Sequence, residues 1–198
     1  MPFRHHFFAY LARLRYIRRW GLMRSVMPEN DAEHSLQVAM LAHAIAVIGR
    51  DSYGRGCDPE HILALGVYHD VSEVITGDMP TPVKYHSQEL RTSYKGVERM
   101  ANERLLSMLP EGLRPAFRPY LSEPEGYDRA VVKAADSISA YVKCIEEKRA
   151  GNREFEAAGE SIRRSLEAID LPEVQDFLRM FLPSFELSLD ELNEDQGL

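Results

Sequence analysis

The chain has 198 residues, a length that suits one compact domain with a substantial hydrophobic core. Its formal charge of −7 and its lack of a basic tract argue against binding to a nucleic-acid polymer. Its sequence contains no run of about 18 apolar residues, so we expect no membrane-spanning helix. The two cysteines, Cys57 and Cys144, are too few for a disulfide framework, which favours a reduced, cytoplasmic protein.

The first two predicted helices cover the N-terminal quarter of the chain. Apolar residues at helical spacing predict a helix over residues 5–18. Asn30 and Glu33 fit the N-cap and N3 positions of a second helix, which we expect to run to about Ile48 and to end at Gly49. A helix that is apolar on nearly every side is expected in the middle of a fold. The apolar residues of this one are Leu36, Val38, Met40, Leu41, Ile45, Val47 and Ile48.

A third helix is predicted to begin at Asp58–Pro59, because Asp is a favoured N-cap and Pro is favoured at the first helical position. It should run to about Thr76 and end at Gly77. The segment 78–83 contains two prolines, so we expect an extended loop there.

The second half of the chain is also predicted to be helical, with no strand. Residues 110–127 contain four prolines and two glycines, which should break helical structure. The acidic end, residues 190–198, is expected to be a frayed tail. Helices are predicted over about 88–109 (with Leu90, Tyr94, Val97, Ala101 and Leu105 inward), 128–150 and 155–169, with a short one from Pro172.

His69, Asp70 and Glu73 lie near the end of the third predicted helix. In a helix, His69 and Glu73 would lie one turn apart on one face, and Asp70 would be three residues from Glu73. Burying such a group is costly unless something pairs with it, and a metal ion is one such partner. The alternative is a satisfied core histidine beside two exposed carboxylates.

Two further residues favour the metal. His34 lies in the first turn of the central helix, and Asp136 is a mid-helix acid among small residues. Two imidazoles and two carboxylates suit a first-row divalent ion better than Mg²⁺ alone, and the absence of a thiolate argues against a structural zinc site. Such an ion lowers the pKa of its bound water, and Glu73 would be placed to take a proton from that water.

The pattern His34 … His69–Asp70 … Asp136 resembles the H…HD…D signature of HD-domain phosphohydrolases. This resemblance implies an all-α, single-domain fold over residues 1–198, with the HD core at about 30–145. The whole chain is similar to the bacterial 5′-deoxynucleotidase (YfbR-like) family. The stretches that carry this similarity are Arg19–Trp20, Glu33–Ala39, Tyr68–Asp70, Ser72–Glu73, Thr76–Tyr85, Lys133–Asp136 and Pro183–Phe185.

The resemblance implies hydrolysis of the 5′-phosphate of deoxyribonucleoside 5′-monophosphates, with discrimination against ribonucleotides and broad base tolerance. It also implies a homodimer that uses one divalent transition metal ion, such as Co or Mn. Glu73 would act on the attacking water, and Arg19 would orient the phosphate. The metal would be held by His34, His69, Asp70 and Asp136, and His34, Asp70 and Asp136 would also border the substrate.

The same resemblance assigns the sugar site. Trp20 would press on the sugar and leave no room for a 2′-hydroxyl. The loop of Asp78, Met79, Pro80 and Thr81 would close over the nucleoside, with Asp78 accepting a hydrogen bond from the 3′-hydroxyl. We expect none of the remaining histidines to bind the ion: His5, His6, His43, His61 and His86.

Two other functions stay open at the level of sequence. A different HD enzyme, a nucleoside triphosphatase or cyclic-nucleotide phosphodiesterase, should have more cations near the motifs than Arg18, Arg19 and Lys84. A metal-binding helical module without turnover is the second alternative. Such a scaffold would have no need for a base at Glu73.

Overall fold

The computed structural model describes residues 4–84 and 86–195 and is helical through most of this part of the chain. The extended pairing within these residues is one isolated antiparallel bridge, between Arg18 and Asn30. The predicted all-α, single-domain fold class is confirmed. No described helix is long and apolar enough to cross a membrane. The α-helices are α1 (Phe7–Leu11), α2 (Asp31–Tyr53), α3 (Pro59–Tyr68), α4 (Glu73–Thr76), α5 (Thr81–Lys84), α6 (Gln88–Ser107), α7 (Arg114–Leu121), α8 (Gly126–Arg149), α9 (Glu156–Glu167), α10 (Pro172–Phe181) and α11 (Leu189–Asp195).

Helix α2 is the centre of the main core, packed against α3, α8 and α10. It begins as predicted at Asn30, whose side chain accepts hydrogen bonds from the backbone N–H groups of Ala32 and Glu33. Its burial is not complete, however: Leu36 and Met40 are exposed. The helix therefore lies in the middle of the fold as expected, but the described residues leave this one apolar stripe uncovered.

The close approach of α2 and α3 brings two predicted metal ligands together. A Cβ added to Gly66 would lie 2.7 Å from the Cα of Ala39, so only glycine allows this backbone contact. Gly66 is three residues before His69, and Ala39 is five residues after His34. The contact therefore sets the end of α3 against the first half of α2.

The predicted end of α2 at Gly49 is wrong. The helix continues to Tyr53 and is capped by Gly54, which has a φ of 64°. Gly49 serves packing instead, because a side chain there would collide with the hydroxyl of Tyr127.

The predicted helix over residues 58–76 is interrupted. Helix α3 begins at the predicted N-cap, Asp58, but ends at Tyr68, and α4 starts only at Glu73. Between them the backbone forms tight turns, with Glu73 N–H bonded to the carbonyl of Asp70 at 2.9 Å. His69 and Asp70 therefore project from a turn and do not share a continuous helix face with Glu73. The predicted end at Gly77 is confirmed.

The predicted first helix, residues 5–18, is also interrupted. Helix α1 ends at Leu11, and a 3₁₀ turn at Leu14–Tyr16 follows. The chain then becomes extended because the Ile17 carbonyl accepts from the Asp31 N–H. This pairing ties residues 17–19 to the beginning of α2.

Four smaller predictions fail at segments where local signals were misleading. Thr81–Lys84 and Arg114–Leu121 are helical despite their prolines: Pro82 and Pro115 lie in a first helical turn, where proline is tolerated, while Pro119 lies inside the second of these helices. Val97 is exposed on α6. Leu189–Asp195 is a helix where a frayed tail was predicted, and residues 196–198 of that tail lie outside the described residues.

Candidate active site

The four predicted metal ligands come from three elements and meet in one place. His34 lies in the first turn of α2, His69 and Asp70 follow α3, and Asp136 lies on α8. One ligand atom from each of His34, His69 and Asp136 lies within 4.8 Å of the others. The Oδ2 atom of Asp70 is 3.0 Å from His69 Nε2 and 3.7 Å from His34 Nε2.

Hydrogen bonds at the far nitrogen of each imidazole set its tautomer. His69 Nδ1 donates to the carbonyl of Gly66 at 2.8 Å. His34 Nδ1 lies 3.0 Å from Ser139 Oγ, and that hydroxyl donates to Gln37 Oε1 at 2.5 Å. Ser139 must therefore accept from His34. In both histidines, Nδ1 carries a proton and Nε2 faces the cluster.

These residues fit a divalent metal ion. The Nε2 atoms of His34 and His69 are buried, and neither has a well-aligned hydrogen-bond partner among the described residues. Nitrogen atoms in that state are costly to bury unless a cation or donor meets them. Metal-binding histidines usually donate their other N–H to a carbonyl or hydroxyl, as these two do. With carboxylates of Asp70 and Asp136 beside them, the set provides two nitrogens and two oxygens.

The electrostatics of the cluster also favour a cation. Burial alone would lower the pKa of His69, but the nearby carboxylates of Asp70 and Asp136 outweigh this effect and raise the pKa to about 9. Burial raises the pKa of Asp70, but His69, His34 and Arg19 hold it well below its usual range. These opposite shifts indicate that the cluster favours a positive charge, which a divalent metal ion would supply.

Glu73 lies beside the ligands in an acidic, buried setting. Its side chain is buried, and burial together with Asp70, Asp31 and Asp78 raises the pKa of Glu73 to about 11. A divalent cation held by the neighbouring ligands would favour the ionised carboxylate, which is the form that a base requires.

Asp31 is an acidic neighbour that the sequence analysis missed. It is fully buried at the first position of α2, and its carboxylate lies within hydrogen-bonding reach of the Glu73 carboxyl group. Burial and the charge of Asp70 raise the pKa of Asp31 to about 7. Its position three residues before His34 was a signal, but an acid in a first helical turn is common for local reasons.

Arg19 brings a positive charge to the edge of the ligand cluster. Its Nη1 donates to Asp70 Oδ2 at 3.3 Å, and its Nε donates to Glu29 Oε2 at 3.3 Å. Burial lowers the pKa of Arg19, but Asp70, Asp136 and Glu29 raise it above its ordinary value, so the group stays charged. Arg18, by contrast, is exposed. A guanidinium in the position of Arg19 can bind a phosphate oxygen next to the ion.

Trp20 is half-buried beside Arg19. Its Nε1 donates to Glu29 Oε2 at 2.8 Å, and its ring centroid lies 5.1 Å from that of Phe155. Asp78 faces the pair, near the Arg19 charge and the backbone N–H of Trp20. No local sequence signal marks Glu29 or Phe155, because their roles depend on contacts with residues distant in sequence.

The rest of the predicted substrate loop is less closely tied to the ligands. Met79 and Pro80 are half-buried and Thr81 is exposed. Among the described residues, no hydrogen bond or ion pair joins these three residues to the metal-ligand cluster. His61 lies 3.8 Å from Asp128 and takes no part in the cluster of possible metal ligands found in residues 4–84 and 86–195.

Two of the solved structures with a similar fold are described as HD phosphohydrolases. An HD-domain phosphohydrolase from Listeria innocua matches with a TM-score of 0.80 and 24% identity, over 97% of this chain and 94% of that one. A cyanophage S-2L HD phosphohydrolase, solved with dA and one catalytic Zn²⁺, matches with a TM-score of 0.60 and 22% identity, over 90% and 93% of the two chains. At these identities the likeness shows a common fold.

Sequence relatives are considerably closer. A 5′-deoxynucleotidase from Vibrio atlanticus is 52% identical over 190 residues, which is 95% of this chain and 98% of the relative. The 5′-deoxynucleotidase YfbR of Escherichia coli is 48% identical over 195 residues, 98% of each chain. The family model described as 5′-deoxynucleotidase YfbR-like matches residues 6–185, a range that contains all four candidate ligands. The chain therefore belongs to the YfbR-like 5′-deoxynucleotidase family.

Proposed function

We propose that this protein is a metal-dependent phosphomonoester hydrolase that removes the 5′-phosphate from deoxyribonucleoside 5′-monophosphates. One observation carries the chemistry: His34 and His69 present buried Nε2 atoms to Asp70 and Asp136, with their far nitrogens fixed by hydrogen bonds. Membership of a family of 5′-deoxynucleotidases supports the substrate class. The ligand set suits a divalent transition metal such as Co or Mn.

In the proposed reaction, water attacks phosphorus, the bond to the 5′-oxygen breaks, and that oxygen takes up the proton lost by the water, so that a deoxyribonucleoside and inorganic phosphate leave. The bound ion would supply charge neutralisation and lower the pKa of a water. Glu73 would accept the proton of the attacking water, and Arg19 would hold a phosphate oxygen beside Asp70. His34, Asp70 and Asp136 would border the bound phosphate as well as the ion.

Sugar recognition would lie on the Trp20 side of the site. The indole would occupy the space that a 2′-hydroxyl needs, and Asp78 would accept from the 3′-hydroxyl. Met79, Pro80 and Thr81 would close over the nucleoside. If these residues contact the sugar and not the base, the enzyme would accept nucleotides with different bases, which is consistent with broad base tolerance.

The local charges favour a monophosphate over a longer phosphate chain. A triphosphatase or cyclic-nucleotide phosphodiesterase is the competing enzyme, and the former needs further cations for the additional phosphates. Among the described cations that line the cavity beside His69 and Asp70, Lys84 and Lys95 are paired with Glu98 and Glu123, each at 2.8 Å, which leaves Arg99 for additional phosphates. A non-catalytic metal module is disfavoured by Glu73, since burying an acid there is costly without a chemical use.

The decisive experiment is phosphate release from matched substrates. We expect the purified protein with Mn²⁺ or Co²⁺ to hydrolyse dAMP and dTMP and to hydrolyse AMP at least ~10-fold more slowly, as steric exclusion of one hydroxyl allows. A chelator should abolish the activity, and added metal should restore it. Equal rates on dAMP and AMP would contradict the role of Trp20. No release from any monophosphate by the metal-loaded protein would favour the non-catalytic module.

We also propose that the enzyme is a cytoplasmic homodimer whose metal chemistry lies in an HD core at about 30–145. Leu36 and Met40 lie four residues apart on α2, with 60% and 57% of their surfaces exposed, and can form an apolar contact between copies. Both Cys57 and Cys144 are free thiols, which suits a reducing compartment. Sedimentation equilibrium should give a dimer, and Leu36→Glu with Met40→Glu should give a folded monomer. A wild-type monomer would rule out the dimer.

A further inference from the structure

One carboxylate oxygen joins the two side chains assigned to phosphate and sugar. Glu29 Oε2 accepts from Trp20 Nε1 at 2.8 Å and from Arg19 Nε at 3.3 Å. The Glu29 and Arg19 side chains are each 13% exposed, so the contact is largely shielded from solvent. A charged acceptor in such a setting forms stronger hydrogen bonds than a surface pair does.

The backbone around this contact is held in an unfavourable conformation. Trp20 has a φ of 58°, a left-handed value that is uncommon for a large side chain. The chain segments on each side of the loop are paired, since Arg19 N–H donates to the Glu29 carbonyl at 3.2 Å. Strain of this kind persists only where the surrounding structure compels it, and it is frequent at ligand-binding sites.

The loop between Trp20 and Glu29 is anchored to α8 by a buried network. Glu147 is fully buried and accepts from the backbone N–H groups of Val26 and Met27, at 2.9 and 3.0 Å. Asn152 donates to the Arg24 carbonyl at 2.7 Å and to Glu147 Oε2 at 2.7 Å. The loop backbone is thereby fixed independently of the Glu29 side chain.

A second support meets the face of the indole. Phe155, which is buried, packs on Trp20 with the two rings tilted by 60°. Two contacts therefore hold the ring of Trp20: packing against Phe155 restricts its rotation, and the hydrogen bond to Glu29 fixes the position of Nε1. Among the residues that the structure describes, no aromatic ring supports Arg19 in this way, and its side-chain hydrogen bonds go to Glu29 and Asp70.

We propose that Glu29 is a positioning residue that orients Arg19 toward the phosphate and Trp20 toward the sugar through a single carboxylate oxygen. The proposal rests on the function proposed above. It gives phosphate alignment and sugar discrimination a common structural origin. Because Gln keeps a neutral acceptor but loses the charge, and Ala loses both, two substitutions separate the two contacts.

The test compares Glu29→Gln and Glu29→Ala using kinetics and fluorescence. Trp20 is the sole tryptophan of the chain, so emission excited beyond the tyrosine absorption band reports on it alone. In Glu29→Gln we expect kcat for dAMP and AMP to fall together by ~10-fold or more, since Arg19 loses its charged partner. Selectivity and Trp20 emission should remain near wild type, because the amide oxygen still accepts from the indole.

In Glu29→Ala we expect the same loss of kcat and, in addition, a ratio of kcat/KM for dAMP over AMP that falls ~10-fold or more. Its emission should shift to the red, and acrylamide should quench it faster. Glu154→Gln is the matched control, because Glu154 also accepts from this loop, at Arg24 N–H, yet contacts neither Arg19 nor Trp20. It should keep wild-type kinetics and emission.

The outcomes separate this proposal from the proposed function. If wild-type protein hydrolyses no monophosphate, the function fails, while the emission and quenching of the two Glu29 variants still test the hold on Trp20. If Glu29→Ala is folded by circular dichroism but keeps wild-type emission and selectivity, Glu29 does not position Trp20. If Glu29→Ala does not fold, wild-type kcat in the nearly isosteric Glu29→Gln overturns the proposal.

Discussion

Replacing Glu73 by Gln is expected to lower kcat for dAMP by ~10²–10⁴-fold, the usual contribution of a general base, while metal affinity changes little. Gln has nearly the same volume and can occupy the buried site, but it cannot take a proton from water. Phosphate release gives the loss of turnover, and calorimetric titration with Mn²⁺ gives the metal affinity. Burial of Glu73 beside three other acids makes it the strongest candidate for this proton transfer.

The control for this substitution is Glu103→Gln, which changes an exposed acid paired with Arg118 on the surface. It should leave both turnover and metal affinity unchanged. If Glu73→Gln loses the metal along with activity, Glu73 is a ligand and its assigned role as a base is wrong. Wild-type turnover in Glu73→Gln would move the base to another residue.

Replacing Asp136 by Ala should nearly abolish metal binding and, with it, hydrolysis. Loss of a hydrogen-bonding partner of a ligand typically costs ~10–100-fold in metal affinity, and loss of a ligand should exceed ~100-fold. The Asp136 side chain is 42% exposed, so its removal leaves no core cavity and the fold should persist. Metal content after dialysis and a thermal melt separate loss of the ion from loss of structure.

Asp128→Ala is the matched control for that experiment. Asp128 lies on the same helix, two turns before Asp136, with 34% of its side chain exposed, and its neighbour His61 is 3.8 Å away. The variant should bind metal as the wild type does. Retention of tight metal binding in Asp136→Ala would show that three ligands suffice, and the four-ligand site would have to be revised.

The part of the site that could be predicted from sequence is the set of ligand residues, because their chemical types alone indicate metal binding. His34, His69, Asp70 and Asp136 converge as expected, because a buried apolar segment that contains such residues must pair them. The geometry of their approach was different, since His69 and Asp70 lie on a turn after Tyr68 and not on a continuous helix. Local periodicity carries no information about where a helix is broken to aim a side chain.

Two features of the structure escaped prediction because they depend on tertiary contacts. Gly49 reads as a helix end, but it is buried mid-helix because Tyr127 requires the space of a side chain. Glu29 has no local signal at all, because its importance comes from Trp20 and Arg19, about ten residues away. Helix starts such as Asn30 and Asp58 were predictable because an N-cap acts on its own first turn.

The two histidines differ in what fixes their outer nitrogen, and this difference decides where the metal site is adjustable. The partner of His69 is a main-chain carbonyl, at Gly66, which no substitution can remove. The partner of His34 is the hydroxyl of Ser139, itself directed by Gln37, and both are side chains that a single codon change can replace. Ion preference and the basicity of the ligands can therefore be retuned by evolution or engineering from the α2–α8 side, while the α3 side stays constant.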